Sequence, residues 1–137
     1  MNLKSVITEN VMRHKRHLMH IMCGDGSFAY SIGNHTRNLP ELLVLGNWPF
    51  DITAATLNLL SEKFEAEGEQ LGVIDIGFTM PVKVREASAK AKEDYTFQAT
   101  YWLNSQDYRV LQVMLPDKNG KYPDEEGCLT PFNVRIV

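Results

Sequence analysis

The sequence predicts one α+β domain: a mixed or mostly antiparallel twisted sheet of about five to seven strands, two main helices and one short helix. Three observations carry this. The chain has 137 residues, enough for one ordinary domain and too few for two. Apolar residues recur at helical spacing in only two long stretches. Between and after these lie short apolar or alternating runs, bounded by Gly, Pro and Asn, which read as strands.

Leu3, Val6, Ile7 and Val11 share one helical face, so residues 3–15 form an amphipathic helix. It ends in Arg13-His14-Lys15-Arg16, cations that complement the helix dipole and solvate the end. The sharper reading of that cluster is a contact for phosphate or an acidic partner. Two short strands follow, 17–23 and 27–33, with Gly24-Asp25-Gly26 supplying the backbone freedom of a tight hairpin. Residues 41–46 are continuously apolar after Glu41 and lie between Pro40 and Gly46, the pattern of a central strand covered on both faces. Asp51 is placed to cap a second helix, whose stripe is Ile52, Ala55, Leu59, Leu60 and Phe64 and whose stop is Gly68. Residues 72–78 and 80–85 read as extended, with Pro81 favouring a sheet edge. The charged tract 86–94 is a mobile loop or a helical turn. Phe97, Tyr101 and Trp102 suggest a short helix over 95–104, Tyr108–Leu115 a strong strand, and Pro116-Asp117-Lys118-Asn119-Gly120 a turn.

Bulk properties narrow the function classes. A formal net charge of -3 argues against holding nucleic acid by general positive charge. Aromatic and basic residues do not interleave as a single-strand binding surface needs. No apolar run approaches membrane-spanning length, and Met1-Asn2-Leu3-Lys4-Ser5 leads to Glu9 and Asn10 instead of an apolar signal core, so a cytosolic protein without a membrane partner is expected. Two cysteines, Cys23 and Cys128, make no disulfide framework.

Phe28-Ala29-Tyr30-Ser31-Ile32-Gly33, then Pro40-Glu41-Leu42 running to Gly46, resembles the first signature of a bacterial and phage family, domain of unknown function 4262. Val110-Leu111-Gln112-Val113 and Pro116-Asp117, with Gly120 and Pro123, resemble its second. The resemblance covers roughly residues 17–123, leaving the helix 3–15 before it and a tail, 124–137, after it. The family usually has Thr at Ser31, often Leu at Asn34, and often Trp at Asp124. Membership implies the fold and the place of a site, with no established reaction, cofactor or catalytic residue. A phage-encoded, host-modulating or counter-defence role is suggested only by where the family occurs.

The chemically suggestive stretch is Phe28–Glu41. Strand alternation puts Phe28, Tyr30 and Ile32 on one face and Ala29, Ser31 and Gly33 on the other. Ser31 then sits in a small-residue groove that suits a ligand or a close-packed helix. Glu41 opens an otherwise buried strand and needs a partner: Arg37, His35 or backbone amides. The plain reading is a hydrogen-bonded strand-end network. The binding reading makes Tyr30, Ser31, His35, Arg37, Glu41, Gln112 and Asp117 a rim for a protein partner or small ligand. Gln112 lies in an apolar row and either pins a loop or enters a pocket with Asp117, which itself suits the cap of the Asn-Gly turn. The catalytic reading casts His35 or Glu41 as general base, Ser31 or a water as nucleophile and Arg37 as anion clamp, without a Gly-x-Ser-x-Gly elbow.

His17, His20 and Cys23 invite a zinc reading, but in a strand positions 17 and 20, like 20 and 23, point to opposite faces, so no metal and no cofactor is expected. The favoured expectation is an accessory or regulatory domain that binds a protein or small ligand. The alternative is a hydrolase or transferase on a small anionic substrate, using Ser31, His35 and Glu41. A third reading is a homodimer paired through strand 42–45 or through exposed edges.

Overall fold

The computed structural model describes residues 2–137. Its six strands, β1 (His17–Ile21), β2 (Phe28–Ile32), β3 (Glu41–Leu45), β4 (Gly72–Ile74), β5 (Val82–Glu86) and β6 (Val110–Met114), form one mixed sheet in the order β1-β2-β3-β6-β5-β4. Only the central pair, β3 and β6, is parallel. Such a pair needs a long crossover, and here that crossover carries a long helix, a strand pair and two short helices. The predicted α+β domain is what forms.

Side-chain alternation divides the core into two layers. Ala29, Leu42, Val44, Leu111 and Val113 face α2 (Phe50–Glu67) and its Leu57, Leu60 and Phe64. Tyr30, Ile32, Leu43 and Val110 face the other way, toward α1 (Leu3–His14), α3 (Lys90–Asp94) and α4 (Phe97–Leu103), through Ile7, Ala91 and Ala99. Leu42, Leu43, Leu57 and Leu60 have no exposed surface. Truncating any one to Ala costs about 2–5 kcal/mol. Every residue of β3 and β6 is buried, which is why both are apolar except for Glu41 and Gln112.

Four expectations are corrected. Asp51 does not cap α2; Pro49 takes that position, and Asp51 lies in the first turn. Pro suits the entry because it has no amide to leave unpaired. Pro81 does not mark an edge: β5 lies between β6 and β4, and Pro81 precedes its first residue, where the missing N–H costs the ladder nothing. The run Leu42–Leu45 cannot pair with a second copy, because β2 and β6 occupy both its sides; the sheet edges are β1 and β4. Arg16 is not a solvated cation. Lys15 ends α1 in the left-handed region at φ 74°, and the turn sends Arg16 inward to 5% exposure. Among the described residues no helix is long and apolar enough to cross a membrane.

Candidate functional site

The β2–β3 ladder stops at Tyr30–Leu43, and polar side chains take over from there. Gly33, at φ 119°, turns the chain into a 3-10 turn, Asn34–Arg37. That turn aims three successive amides at the carboxylate of Glu41. Gly33 N and His35 N donate to Oε2 at 3.0 and 3.1 Å, and Asn34 N donates to Oε1 at 3.2 Å. Ser31 Oγ donates to Oε1 at 2.9 Å and accepts from Leu42 N at 3.0 Å. The predicted need for partners is met by the amides, not by the side chains of Arg37 or His35.

Asn34, at a position where the family often has Leu, is the hub. Its amide donates to Ser61 Oγ on α2 at 2.8 Å and to Pro40 O at 3.3 Å. Its oxygen accepts from Arg16 Nε at 3.1 Å, while Arg16 also donates to Asn58 Oδ1. Ser31, Asn34, Glu41 and Ser61 are each at most 1% exposed. The small-residue groove at Ser31 is thus filled by α2. Burial pushes the Glu41 carboxyl up to about 7 against the pull of its four donors. Once protonated, Oε1 can donate to Ser31 Oγ, so that bond reverses while the three amides keep their acceptors.

The remaining predicted residues fall in three places. Tyr30 OH accepts from Gln98 N at 3.0 Å in the first turn of α4, and burial pushes its hydroxyl up to about 12. Arg37 donates to Lys15 O and pairs with Glu65 at 3.6 Å. His35 lines a surface cleft of about 400 Å³ with Asn38, Pro40, Lys92 and Arg109. The cations there are already engaged. Arg109 pairs with Glu69 at 2.6 Å and Glu86 at 2.7 Å, and Lys92 donates to Gln106 O at 2.7 Å.

Gln112 and Asp117 act on the tail. Gln112 donates to Arg135 O at 2.8 Å and accepts from Val137 N at 3.0 Å. Asp117 accepts from Asn119 N, Lys121 N and Leu129 N, each at 2.9 Å. Against the cost of its burial, those amides and the Lys121 charge hold Asp117 below the usual carboxylate range. It caps the Asn-Gly turn as expected, and it also anchors the tail. Asp124, where the family often has Trp, pairs with Lys83 at 3.0 Å.

The segment 129–137, so held at both ends, walls a cleft of about 330 Å³ beside the carboxyl end of β3. Its lining includes Ser27, Leu45, Gly46, Tyr95, Pro131, Val134 and Arg135. Gly46 is required: at φ 120°, an added Cβ would lie 2.7 Å from Trp48 Nε1 and 3.1 Å from Val134 Cγ1. Arg135 stands between this cleft and a neighbouring groove of about 460 Å³ lined also by Arg85 and Lys90. Its own contacts are loose, 3.4 Å to Tyr95 OH and 3.6 Å to Asp94.

The family model for a domain of unknown function, DUF4262, matches residues 10–129. The chain belongs to this family. It matches no curated protein and no solved structure. The DUF4262 match takes in the Glu41 network, Gln112 and Asp117, and it stops where the cleft-forming segment begins.

Sequence reasoning missed Asn34, Arg16 and the cleft residues. Asn34 had a signal, since Gly-Asn after a strand marks a turn with side-chain hydrogen bonding. Ser27, Tyr95 and Arg135 had none, because only the fold brings them together. Among the described residues no three His, Cys, Asp or Glu side chains gather as a metal site. His17 meets Asn10 of α1 and His20 meets Thr53 of α2, the opposite faces that strand alternation requires.

Proposed function

We propose that this domain works by binding, and that it takes the anionic group of a small ligand or of a protein partner in the cleft at the carboxyl end of β3. The observation that carries this reading is the arrangement around segment 129–137. Two buried polar residues, Gln112 and Asp117, hold a stretch that presents Arg135, a loosely held cation, beside an apolar wall of Leu45, Pro131 and Val134. Arg85 and Lys90 line the adjoining groove, where Glu86 and Asp94 balance their charge, so Arg135 is the cation on which the reading rests. A mostly apolar concavity with a few polar groups that fix orientation is the usual form of a small-ligand site, and an arginine fork suits carboxylate or phosphate.

The enzyme alternative loses support from the same geometry. Ser31 Oγ already donates and accepts, and both Glu41 oxygens are filled, with neither side chain exposed. A regulatory role, host-modulating or counter-defence, is compatible with a binding domain and rests on the family resemblance.

Isothermal titration with phenyl phosphate, benzoate and neutral benzamide tests the proposal. The two anions are expected to bind the native domain, benzamide at least about tenfold more weakly, and Arg135→Glu to lose the preference. Unchanged anion binding by Arg135→Glu would overturn the site. Hydrolysis of phenyl phosphate that Ser31→Ala abolishes would favour the enzyme.

A further inference from the structure

The cleft beside the carboxyl end of β3 is electrically balanced. Of the residues that line it, only Arg135 and Asp25 are charged, one of each sign. Arg135 receives the anionic group in the reading above, and Asp25 opposes it. Asp25 is held in place without using its carboxylate. It sits at the tip of the β1–β2 hairpin, where Gly26 N donates to Cys23 O at 2.9 Å and Ser27 N to Gly24 O at 3.1 Å. Ser27 Oγ donates to Gly24 O at 2.7 Å and accepts from Cys23 N at 2.9 Å, with Ser27 itself buried. These bonds fix the turn and pass by the exposed Asp25 side chain. None of the ion pairs among the described residues includes it.

An unpaired carboxylate at a turn tip is ordinary on a convex surface. On the wall of a cleft it shapes what the cleft accepts, because a concave site of low polarity concentrates the field of the charges that line it. A ligand that is only an anion gains at Arg135 and loses at Asp25. A ligand that also carries a cation gains at both.

The sheet sets how far apart the two charges stand. The Asp25 turn is tied to the end of β3 by Gly46 N, which donates to Ser27 O at 2.8 Å, so Asp25 belongs to the β2 side of the cleft. Arg135 belongs to the β6 side, where Gln112 donates to its carbonyl at 2.8 Å. β3 lies between β2 and β6. Two strand spacings are about 10 Å, and the lining between the two sides is apolar, with Leu45, Pro131 and Val134. An ammonium and a carboxylate on one carbon, as in an α-amino acid, sit too close together to meet both charges across that span. The cleft of about 330 Å³ has room for about eleven waters at about 30 Å³ each, enough for one small ring with a substituent at each end. We propose that the cleft takes a small amphoteric ligand, its acid group on Arg135, its amine on Asp25 and an apolar body between them over Leu45 and Val134. This assignment rests on the anion cleft proposed above and names the class of molecule that fits it.

The test is isothermal titration of the whole domain with para-(aminomethyl)benzoate, its ortho isomer and para-ethylbenzoate, which has the same shape as the para compound without the amine. The para amine should bind at least about threefold tighter than para-ethylbenzoate, the worth of one exposed ion pair. It should exceed its ortho isomer by a similar factor. Asp25→Ser, at an exposed turn position whose side chain bonds nothing, should erase the gain and strengthen para-ethylbenzoate by removing a repulsion. Arg135→Glu should weaken para-ethylbenzoate itself. Should para-ethylbenzoate bind through Arg135 while the amine adds nothing, or adds a gain that survives Asp25→Ser, the amphoteric assignment is overturned and the anion cleft stands. An ortho isomer that binds as tightly as the para compound would overturn the placement of the two groups on opposite sides. If neither the para amine nor para-ethylbenzoate binds, the anion cleft and this assignment fall together.

Discussion

The two ends of β3 have opposite designs. At its amino end, Glu41 is enclosed by Ser31 and three amides, and Asn34 ties the enclosure to α2 and Arg16. At its carboxyl end, Gly46 yields to Trp48 and Val134, and a pinned tail borders an open cleft with a loosely held arginine. The polar residues that look most like chemistry are used to close the sheet. The cleft proposed as the binding site is built from a hairpin turn, a glycine and the tail, which carry little chemical signal in sequence. A buried polar group is thus better read first as a demand for partners than as a reactive centre.

Breaking the closed end has the largest expected effect. Glu41→Ala leaves three buried amides and the Ser31 hydroxyl without their acceptor, a loss on the order of 4 kcal/mol in urea unfolding. The same end should set part of the pH dependence. Because burial raises the folded pKa of Glu41 from 4.5 to about 7, the native state holds a proton that the unfolded chain releases. Glu41's contribution is therefore fully present below pH 4.5 and is lost as pH rises through about 7. The fall is on the order of 3 kcal/mol, and Glu41→Gln should flatten it.

The open end should respond more in binding than in stability. Gly46→Ala forces a Cβ against Trp48 and Val134, costing about 2 kcal/mol and reshaping the cleft, seen as a lowered Tm and weakened phenyl phosphate binding. Gln112→Leu removes two tail bonds, costs about 1 kcal/mol and raises hydrogen exchange at the Val137 amide while that of Gly33–His35 is unchanged. Arg135→Glu, at a side chain 62% exposed, should change stability by less than about 0.5 kcal/mol and still abolish anion preference.

Elements with strong periodicity were legible in the sequence. The helices at 3–15 and near 51–66, the hairpin around Gly24-Asp25-Gly26, and the buried strand after Pro40 all form close to their expected bounds. The two faces of Phe28–Ile32 follow from alternation alone, and Glu41's need for a partner follows from its burial, while the choice of amides over Arg37 or His35 does not. Strand order does not follow from local pattern: Pro81 suggests an edge and Leu42–Leu45 a pairing surface, and topology denies both. Arg16 looked solvated among three other cations because nothing local shows that Lys15 turns the chain inward. Gln112 could be read as needing partners, but the Arg135 carbonyl that meets it is 23 residues away. Long-range contacts of that kind also assemble the cleft.

The most direct test of the contrast is an amide chemical-shift titration of the native domain with phenyl phosphate. Shifts are expected to centre on Ser27, Gly46, Tyr95, Val134 and Arg135, with Gly33, Asn34 and His35 unmoved. Shifts centred on Ser31, His35 and Glu41, with the tail silent, would contradict it.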